Sequence, residues 1–555
     1  MTQSKTNTNG PLVTVLLSTY NRPHYLPQAL ASVFCQTWPA IEIILVRDGG
    51  TPVREVIGDF LDDPRLTLID RPQNRGKAYS FNEAIHQARG EFVCYLDDDD
   101  CFYPFHVETL ANALLGQDRC QAVYSDLYKV HCRELPGGRR IVLAKNVEVS
   151  RDFDRMLMLQ FNQALHVSLM HRRDLFDKTG LYNEKINVLI DWDMTRRLCF
   201  YTDFLHVPVV TGEFYAPVDD CDRISVKRRK NVNEYLWNLL TIRTTRPAKP
   251  WPCIDDLSVV VLPGCPGGPI EQTLRDLWSH TYYPSRLYVP LTPSERERFN
   301  TSVPNVIPIA VAEGASAQVR LDSVLKACEG EFLAIVPTGL AVQPEEVSFL
   351  ERSLNPLLDK SRRSSAFELV EATADHWGVA ARTGEVAAAR QQYPDLSIAD
   401  SMRAAGIAIH KTKFEDYPFQ FDNFLAIARQ FERDGEWRQA IKIYDYAAER
   451  FDNTLWMQTL KANALYYYGR WEAAAALAGE LNQTRPTVAR LMIEARARRK
   501  LNDFSAAAAI YRRAAAILDG HSTGYSHNGP DAGDEGRRRS AAAAHPQQET
   551  LQWTS

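Results

Sequence analysis

Phe92-Val-Cys-Tyr-Leu-Asp-Asp-Asp-Asp100 sets five apolar residues directly against four carboxylates. A short apolar run rich in β-branched and aromatic residues reads as a buried strand, which puts the acidic cluster at the strand's carboxyl end. Adjacent carboxylates repel one another and cost stability unless a cation compensates them. A divalent ion is the economical compensation. Hard cations such as Mg²⁺ or Mn²⁺ take oxygen ligands, use one or two protein carboxylates and leave the remaining sphere to water and substrate phosphates. A solvated acidic turn is the ordinary reading of an isolated run of this kind, and the preceding strand is what argues against it here.

Outward from this point, Val13–Leu17, Ile41–Val46, Leu66–Ile69 and Ala122–Tyr124 are further short apolar runs separated by amphipathic stretches of helical length. That alternation predicts a parallel α/β sheet from Pro11 to about Asp126. Ligands of such sheets bind beyond the carboxyl ends of the strands. The residues at those ends are Ser18-Thr19-Tyr20-Asn21, Asp48-Gly49-Gly50 and Asp97–Asp100. Asp48 can accept a hydrogen bond from an N–H of a base, its two glycines let backbone approach a ligand, and Tyr20 can offer a stacking face. A β-turn aspartate and a core tyrosine are the plain alternatives.

Taken together, Val13-Thr-Val-Leu-Leu-Ser-Thr-Tyr-Asn-Arg-Pro23, Val46-Arg-Asp-Gly-Gly50, Asn74-Arg-Gly76 and Ala88-Arg-Gly-Glu-Phe-Val-Cys-Tyr-Leu-Asp-Asp-Asp-Asp100 resemble family 2 glycosyltransferases of the GT-A fold in order and spacing. The resemblance continues through His166–Arg173, Gly180-Leu-Tyr-Asn-Glu184 and Asp191-Trp-Asp193, covering about Pro11 to Ser225. It implies that Thr19, Tyr20, Asp48 and Asn74 hold a nucleotide-sugar donor. Asp97-x-Asp99 becomes the DxD element, with Asp99 and Asp97 as ligands of Mn²⁺ or Mg²⁺ and Asp98 beside the ribose or phosphate. Asp191 becomes the catalytic base of an inverting transfer, with a UDP-sugar favoured as donor and a saccharide, lipid-linked or protein hydroxyl as acceptor. The chain departs from the family pattern at Ile190, where Glu is usual, at Arg47, where Asp or Asn is usual, and in lacking a histidine between Asp219 and Ser225. His166 and His171 either line the acceptor cleft or are hydrogen-bonded structural residues. Lys227-Arg-Arg-Lys230 either closes over the diphosphate or is a solvated face. Asp193 is expected to support a helix terminus or to contact Arg196 or Arg197.

The catalytic GT-A domain is expected at 11–240, after a flexible N-terminus at 1–10. A second α/β stretch, 255–412, echoes it. Ser32-Val-Phe-Cys-Gln-Thr-Trp-Pro39 returns as Leu277-Trp-Ser-His-Thr-Tyr-Tyr-Pro284, and Ala88-Arg-Gly-Glu-Phe92 as Cys328-Glu-Gly-Glu-Phe332. The copy has Pro337-Thr338-Gly339 where the first has Asp97–Asp99, so a degenerate, catalytically silent GT-A-like domain is expected. Between Phe419 and Leu518, Gly435-Glu-Trp437-x-x-Ala440 recurs as Gly469-Arg-Trp471-x-x-Ala474 and Asn502-Asp-Phe504-x-x-Ala507, at spacings of 34 and 33 residues. That period resembles tetratricopeptide repeats, which predicts an all-α unit at 415–520 that binds a protein partner or mediates self-association. The Ser/Gly/His/Ala-rich stretch 521–555 is expected to be disordered.

With 45% apolar and 24% charged residues the composition is that of ordinary globular domains. A net charge of −5 provides no field that gathers nucleic acid. Ten cysteines without a CxxC pair suggest neither a zinc cage nor a disulfide framework. Met1–Gly10 lacks the apolar core of a secretory signal and no run approaches 18 apolar residues, so a cytoplasmic protein is expected, with peripheral attachment at the inner face of a membrane compatible. A glycosidase would need two carboxylates but no phosphate or nucleoside site. The rival of another class is a non-catalytic scaffold whose repeats bind a partner and whose sheets are relics.

Overall fold

The computed structural model describes residues 10–147, 150–160, 162–218, 232–262, 270–338, 354, 356–358, 363–369, 378–411, 428–429, 431–432, 435–450, 454–484 and 486–522. They fall into two compact units that divide between Tyr417 and Pro418. Among the described residues no helix is long and apolar enough to cross a membrane.

The first unit opens with a sheet of nine strands: β1 (Val13–Thr19), β2 (Ile41–Asp48), β3 (Leu66–Arg71), β4 (Phe92–Asp97), β5 (Cys101–Phe102), β6 (Cys120–Leu135), β7 (Arg139–Val147), β8 (Leu169–Arg172) and β9 (Asp203–Pro217). The strand order is β3-β2-β1-β4-β8-β6-β9-β5, with β7 on β6. Strands β3, β2, β1 and β4 are mutually parallel. Helices cover both faces of β1, β2 and β4, which is why these strands are largely buried, whereas β3 at the sheet edge is only half-buried. Val13, Val15, Leu17, Phe92, Cys94 and Leu96 pack with residues of helices Leu26–Phe34 and His106–Leu115. Leu16, Ile44, Val93 and Tyr95 face the other way, toward Phe81 and Ala84 of helix Lys77–Gln87 and Trp192 of helix Ile190–Leu198.

The strands expected through Asp126 do run in one direction, but the sheet is mixed: β8, from beyond that stretch, runs antiparallel to both β4 and β6 and separates them, so Ala122–Tyr124 lies in a 16-residue strand that does not adjoin β4.

The same unit holds a second sheet: β10 (Leu257–Leu262), β11 (Ser285–Leu291), β12 (Val306–Ala310), β13 (Phe332–Pro337), β14 (Ser365–Glu368), β15 (Val379–Arg382) and β16 (Ala408–Lys411). Its order, β12-β11-β10-β13-β15-β14-β16, reproduces β3-β2-β1-β4-β8-β6-β9, and each of its neighbouring pairs has the same relative direction as its counterpart. The register agrees as well, since Val13 lies opposite Phe92 and Leu257 opposite Phe332. So does a local device. The Gly90 N–H donates to Thr14 Oγ1 (3.0 Å) and the Gly330 N–H to Ser258 Oγ (3.2 Å), in both cases just before the strand that carries or replaces the acidic cluster. One buried apolar cluster runs from Trp192 and Phe200 to Leu257, Tyr282 and Tyr283 and joins the two sheets. Buried Arg196 bridges them by donating to the carbonyls of Arg243, Thr245 and Tyr282.

The described residues of the second unit include helices Trp437–Arg450, Thr454–Tyr467, Trp471–Thr484, Val488–Lys500 and Phe504–Ser522. Just before three of them the chain turns through a left-handed residue: Gly435 (φ 77°), Gly469 (φ 81°) and Asn502 (φ 63°). The recurrence of Gly or Asn two residues before an aromatic thus has a backbone cause, because these residues reach positive φ most easily. The last helix continues to Ser522, two residues into the stretch expected to be disordered; 523–555 lie outside the described residues, as do 1–9 and Gly339.

A Cβ at residue 90 would stand 2.6 Å from the Thr14 nitrogen and 2.8 Å from the Phe92 carbonyl oxygen, contacts that backbone cannot relieve. Gly90→Ala is therefore expected to destabilise the protein by about 1–3 kcal/mol in thermal or denaturant unfolding. Gly58→Ala, where a Cβ meets nothing within 4 Å, is the control and should stay within about 0.5 kcal/mol of the parent. Equal stabilities for the two variants would contradict this packing.

Candidate active site at the strand ends

Thr19, Asp48 and Asp97 are the final residues of β1, β2 and β4, and β1 lies between the other two, so the three polar clusters are adjacent. Thr19 Oγ1 donates to Asp98 Oδ2 (2.7 Å). Tyr20 is 47% exposed, leaving its ring open for stacking. Asp48 is buried and its oxygens accept from the backbone N–H groups of Arg75 (2.7 Å) and Gly76 (2.8 Å). Arg71 Nη2 adds an ion pair at 3.2 Å. Asp48 therefore anchors the exposed loop that carries Asn74 at the start of helix Lys77–Gln87, a role the motif alone did not disclose.

The acidic cluster is compensated within the protein. Lys77 Nζ lies 2.5 Å from Asp97 Oδ1, Arg22 pairs with Asp98, and Arg22 Nη1 lies 2.6 Å from Asp99 Oδ2. Arg140 Nη1 donates to the Asp99 carbonyl oxygen (2.7 Å), and Asp100 Oδ1 accepts from the Tyr215 N–H (2.9 Å). Lys77 and Arg22 thus carry part of the compensation for which a divalent ion is the economical source. Burial, reinforced by Asp99 and Asp97, holds Asp98 above the usual carboxylate range against the pull of Arg22. Burial also works against the Lys77 ammonium, yet Asp97, Asp191 and Asp98 outweigh it and hold its pKa above the ordinary lysine value. Asp97, Asp99 and Asp100 each present an oxygen within 4.8 Å of the others. Three such oxygens fit a hard divalent cation.

Asp191 stands in the first turn of helix Ile190–Leu198. The residue before the helix, Leu189, is left-handed at φ 62°, a conformation uncommon outside glycine and often found where a site is held under strain. Asn162 Nδ2 donates to Asp191 Oδ2 (2.9 Å) while Asn162 Oδ1 accepts from Thr195 (2.9 Å), which fixes the carboxylate's orientation. Burial raises the Asp191 pKa against the opposing effect of Lys77, with Asp97 adding to the rise. Asp193 faces elsewhere: its Oδ2 accepts from both Nε (3.0 Å) and Nη2 (2.6 Å) of buried Arg197.

The two histidines are structural in their contacts. His171 Nε2 meets Tyr95 Oη (2.7 Å), and His166 Nε2 meets Tyr182 Oη (2.8 Å) while its ring stacks on Tyr95. Burial lowers both, to about 4 for His171 and about 3 for His166, so both rings are neutral. Lys227–Lys230 and 219–225 lie outside the described residues. Arg22, Lys77, Asp100, Arg140 and Asn162 were not assigned from the sequence. Arg22 was the one within reach, since it stands inside the Tyr20-Asn-Arg22 motif.

The model of the family described as Glycosyl transferase family 2 matches residues 14–179. The uncharacterized glycosyltransferase YwdF of Bacillus subtilis (strain 168) is 30% identical over 185 residues, 33% of this chain and 67% of that protein. The hyaluronan synthase of Pasteurella multocida is 28% identical over 220 residues, 39% of this chain and 21% of that protein. The chain spans about half to two thirds of the length of the first curated relatives it matches. The crystal structure of S. aureus TarS 1-349 in complex with UDP-GlcNAc aligns with a TM-score of 0.34 at 18% identity, over 42% of this chain and 66% of that one.

The contrast between Asp191 and Asp193 is testable without substrate. Removing one partner of a buried ion pair leaves the other uncompensated, so Asp193→Ala should cost about 3–5 kcal/mol in denaturant unfolding. Asp191→Asn keeps shape and hydrogen bonding and should stay within about 1 kcal/mol of the parent. A near-neutral Asp193→Ala would show that the pair with Arg197 does not support the helix.

Proposed function

Because this chain belongs to glycosyl transferase family 2, we propose that it moves a sugar from a nucleotide-sugar donor, a UDP-sugar by preference, to a hydroxyl acceptor with inversion at the anomeric carbon. The acceptor is a saccharide, lipid-linked or protein hydroxyl in the assembly of a bacterial surface polysaccharide, glycolipid or glycoprotein. The observation that carries the reading is the Lys77 ammonium, which touches Asp97 of the acidic cluster and lies within electrostatic reach of Asp191. That contact supports reading the acidic cluster and Asp191 as parts of one site.

In this reading Thr19, Tyr20, Asp48 and Asn74 hold the nucleoside and Asp98 lies beside the ribose or phosphate. Asp99 and Asp97, with Asp100 as a third oxygen donor, hold Mn²⁺ or Mg²⁺. The divalent ion, when bound, neutralises charge that develops on the leaving diphosphate. Arg22 and Lys77 add positive charge on the same side, and Arg22 shares Asp99 with any cation that enters. Asp191 takes the acceptor's proton as the new bond forms. Its raised pKa moves it toward the working range of a general base, and Asn162 fixes the carboxylate by donating to one of its oxygens. A single displacement needs one base and no covalent intermediate.

The second sheet is a degenerate copy of the first in this account. Its strand β13 ends at Pro337 and continues into Thr338, where β4 ends in carboxylates, so it supports the catalytic sheet without turning over donor. The helical unit is read as tetratricopeptide-like, binding a protein partner or a second copy of the chain.

Asp191→Asn is expected to lower transfer at least about 10²-fold while donor affinity stays within a few-fold. The parent rate should rise with pH through the elevated Asp191 pKa, because only the deprotonated carboxylate accepts a proton, and that limb should vanish in the variant. Full activity of Asp191→Asn in a donor-consumption assay would remove the base from this position.

A further inference from the structure

Strand β7 pairs only with β6 among the described strands, and its outer edge is left open. Along it Ile141, Val142 and Leu143 are 49%, 46% and 51% exposed. Consecutive residues of a strand point to opposite faces, so the described residues cover neither face of β7 at this point. Exposed apolar runs of this kind mark interaction surfaces.

The charge around the run is distinctive. Between Lys129 and Val147 there are five basic residues, Lys129, Arg133, Arg139, Arg140 and Lys145, against Glu134 alone, in a chain whose net charge is −5; Lys145 pairs with Glu213 of β9 (2.5 Å) and the Arg140 side chain is buried, so the exposed arginines beside the run are Arg139 and Arg133. Arg139 and Arg140 precede the apolar triplet, Lys145 follows it, and Arg133 lies directly across from Ile141. The ribbon is also fixed beside the candidate site. Arg140 donates to the Asp99 carbonyl, Tyr25 Oη donates to Glu134 (2.7 Å), and Gly138 packs on His24 so closely that a Cβ there would lie 2.5 Å from the ring.

We propose that the β6–β7 ribbon is a membrane-docking element that seats Ile141, Val142 and Leu143 in the headgroup region of an anionic bilayer, with the exposed Arg139 and Arg133 toward lipid phosphates. Apolar residues flanked by Lys and Arg bind such surfaces through the sum of apolar burial and attraction to anionic lipid. Docking there brings the bilayer surface to the strand ends and selects a lipid-linked hydroxyl as acceptor. The choice of acceptor rests on the transferase reading, and the docking does not.

The test is co-sedimentation of the full chain with phosphatidylcholine vesicles, with and without phosphatidylglycerol, at low and high salt. Binding to the anionic vesicles should exceed that to the neutral ones by about tenfold and fall as salt screens the attraction. The triple variant Ile141→Ser, Val142→Ser, Leu143→Ser should lose most of it. Arg139→Glu, a single exposed change that leaves the apolar run intact, should lose it in part. Thermal melts of both variants, expected to match the parent, separate lost docking from lost folding. Parent protein that stays in the supernatant, or a folded triple variant that binds as the parent does, overturns the proposal. A concentration-dependent dimer without vesicle binding, abolished by the triple variant, overturns it in favour of self-association. Vesicle binding lost in the variants of a protein that binds no nucleotide would leave the docking standing and sink the transferase reading.

Discussion

Four carboxylates at the end of a strand buried on both faces can persist only if charge is brought to them, and the strand-end geometry of the first sheet is arranged around that need. Arg22 arrives from the loop after β1 and Lys77 from the first turn of the helix after β3. Each ties the acidic cluster to another strand's loop, so the electrostatic requirement also closes the cleft. Asp48 does the complementary work, accepting from the backbone of the loop that leads to Lys77 and so fixing where that ammonium stands. The result is a set of paired charges held at the strand ends, with Lys77 on Asp97 and Arg22 on Asp98 and Asp99.

The second sheet shows what the same frame looks like without that need. Strand order, strand direction and the contact of glycine with a Thr or Ser hydroxyl at the entry to the fourth strand are shared. The carboxylates are absent, and Thr338 is buried where an acidic residue would face the cleft. Keeping the frame while losing the acids fits a sheet retained for packing. It shares a continuous apolar cluster with the first sheet, and Arg196 binds carbonyl groups on both sides.

Much of this was legible in the amino-acid sequence. The parallel strands β1 to β4 announce themselves as continuous apolar runs, and the polar clusters at their ends fall where ligands bind. The divergence of Asp191 from Asp193 follows from helix geometry, and Arg197 is the partner that four-residue spacing brings to Asp193. The less regular half of the sheet was not legible, because β6 is polar enough to read as loop and a direction reversal leaves no mark on periodicity. Arg22 stands inside a quoted motif, but its pairing was not legible: it lies 77 positions from Asp99 along the chain, as Asn162 lies 29 from Asp191, and no local pattern encodes such pairings. Like-charge repulsion in Asp97–Asp100 is legible as a cost, whereas the part of it that Lys77 and Arg22 meet is not, because both arrive from other segments of the chain.

The central claim is that the strand-end cluster of the first sheet binds a nucleoside diphosphate together with a divalent cation. Isothermal titration of the full chain with UDP, in Mn²⁺ and then in chelator, tests it most directly. The account predicts saturable binding of one UDP per chain in Mn²⁺ and its loss in chelator. Equal affinity in both conditions would contradict the role given to Asp97 and Asp99, and the absence of binding by UDP and every other nucleoside diphosphate would contradict the site itself.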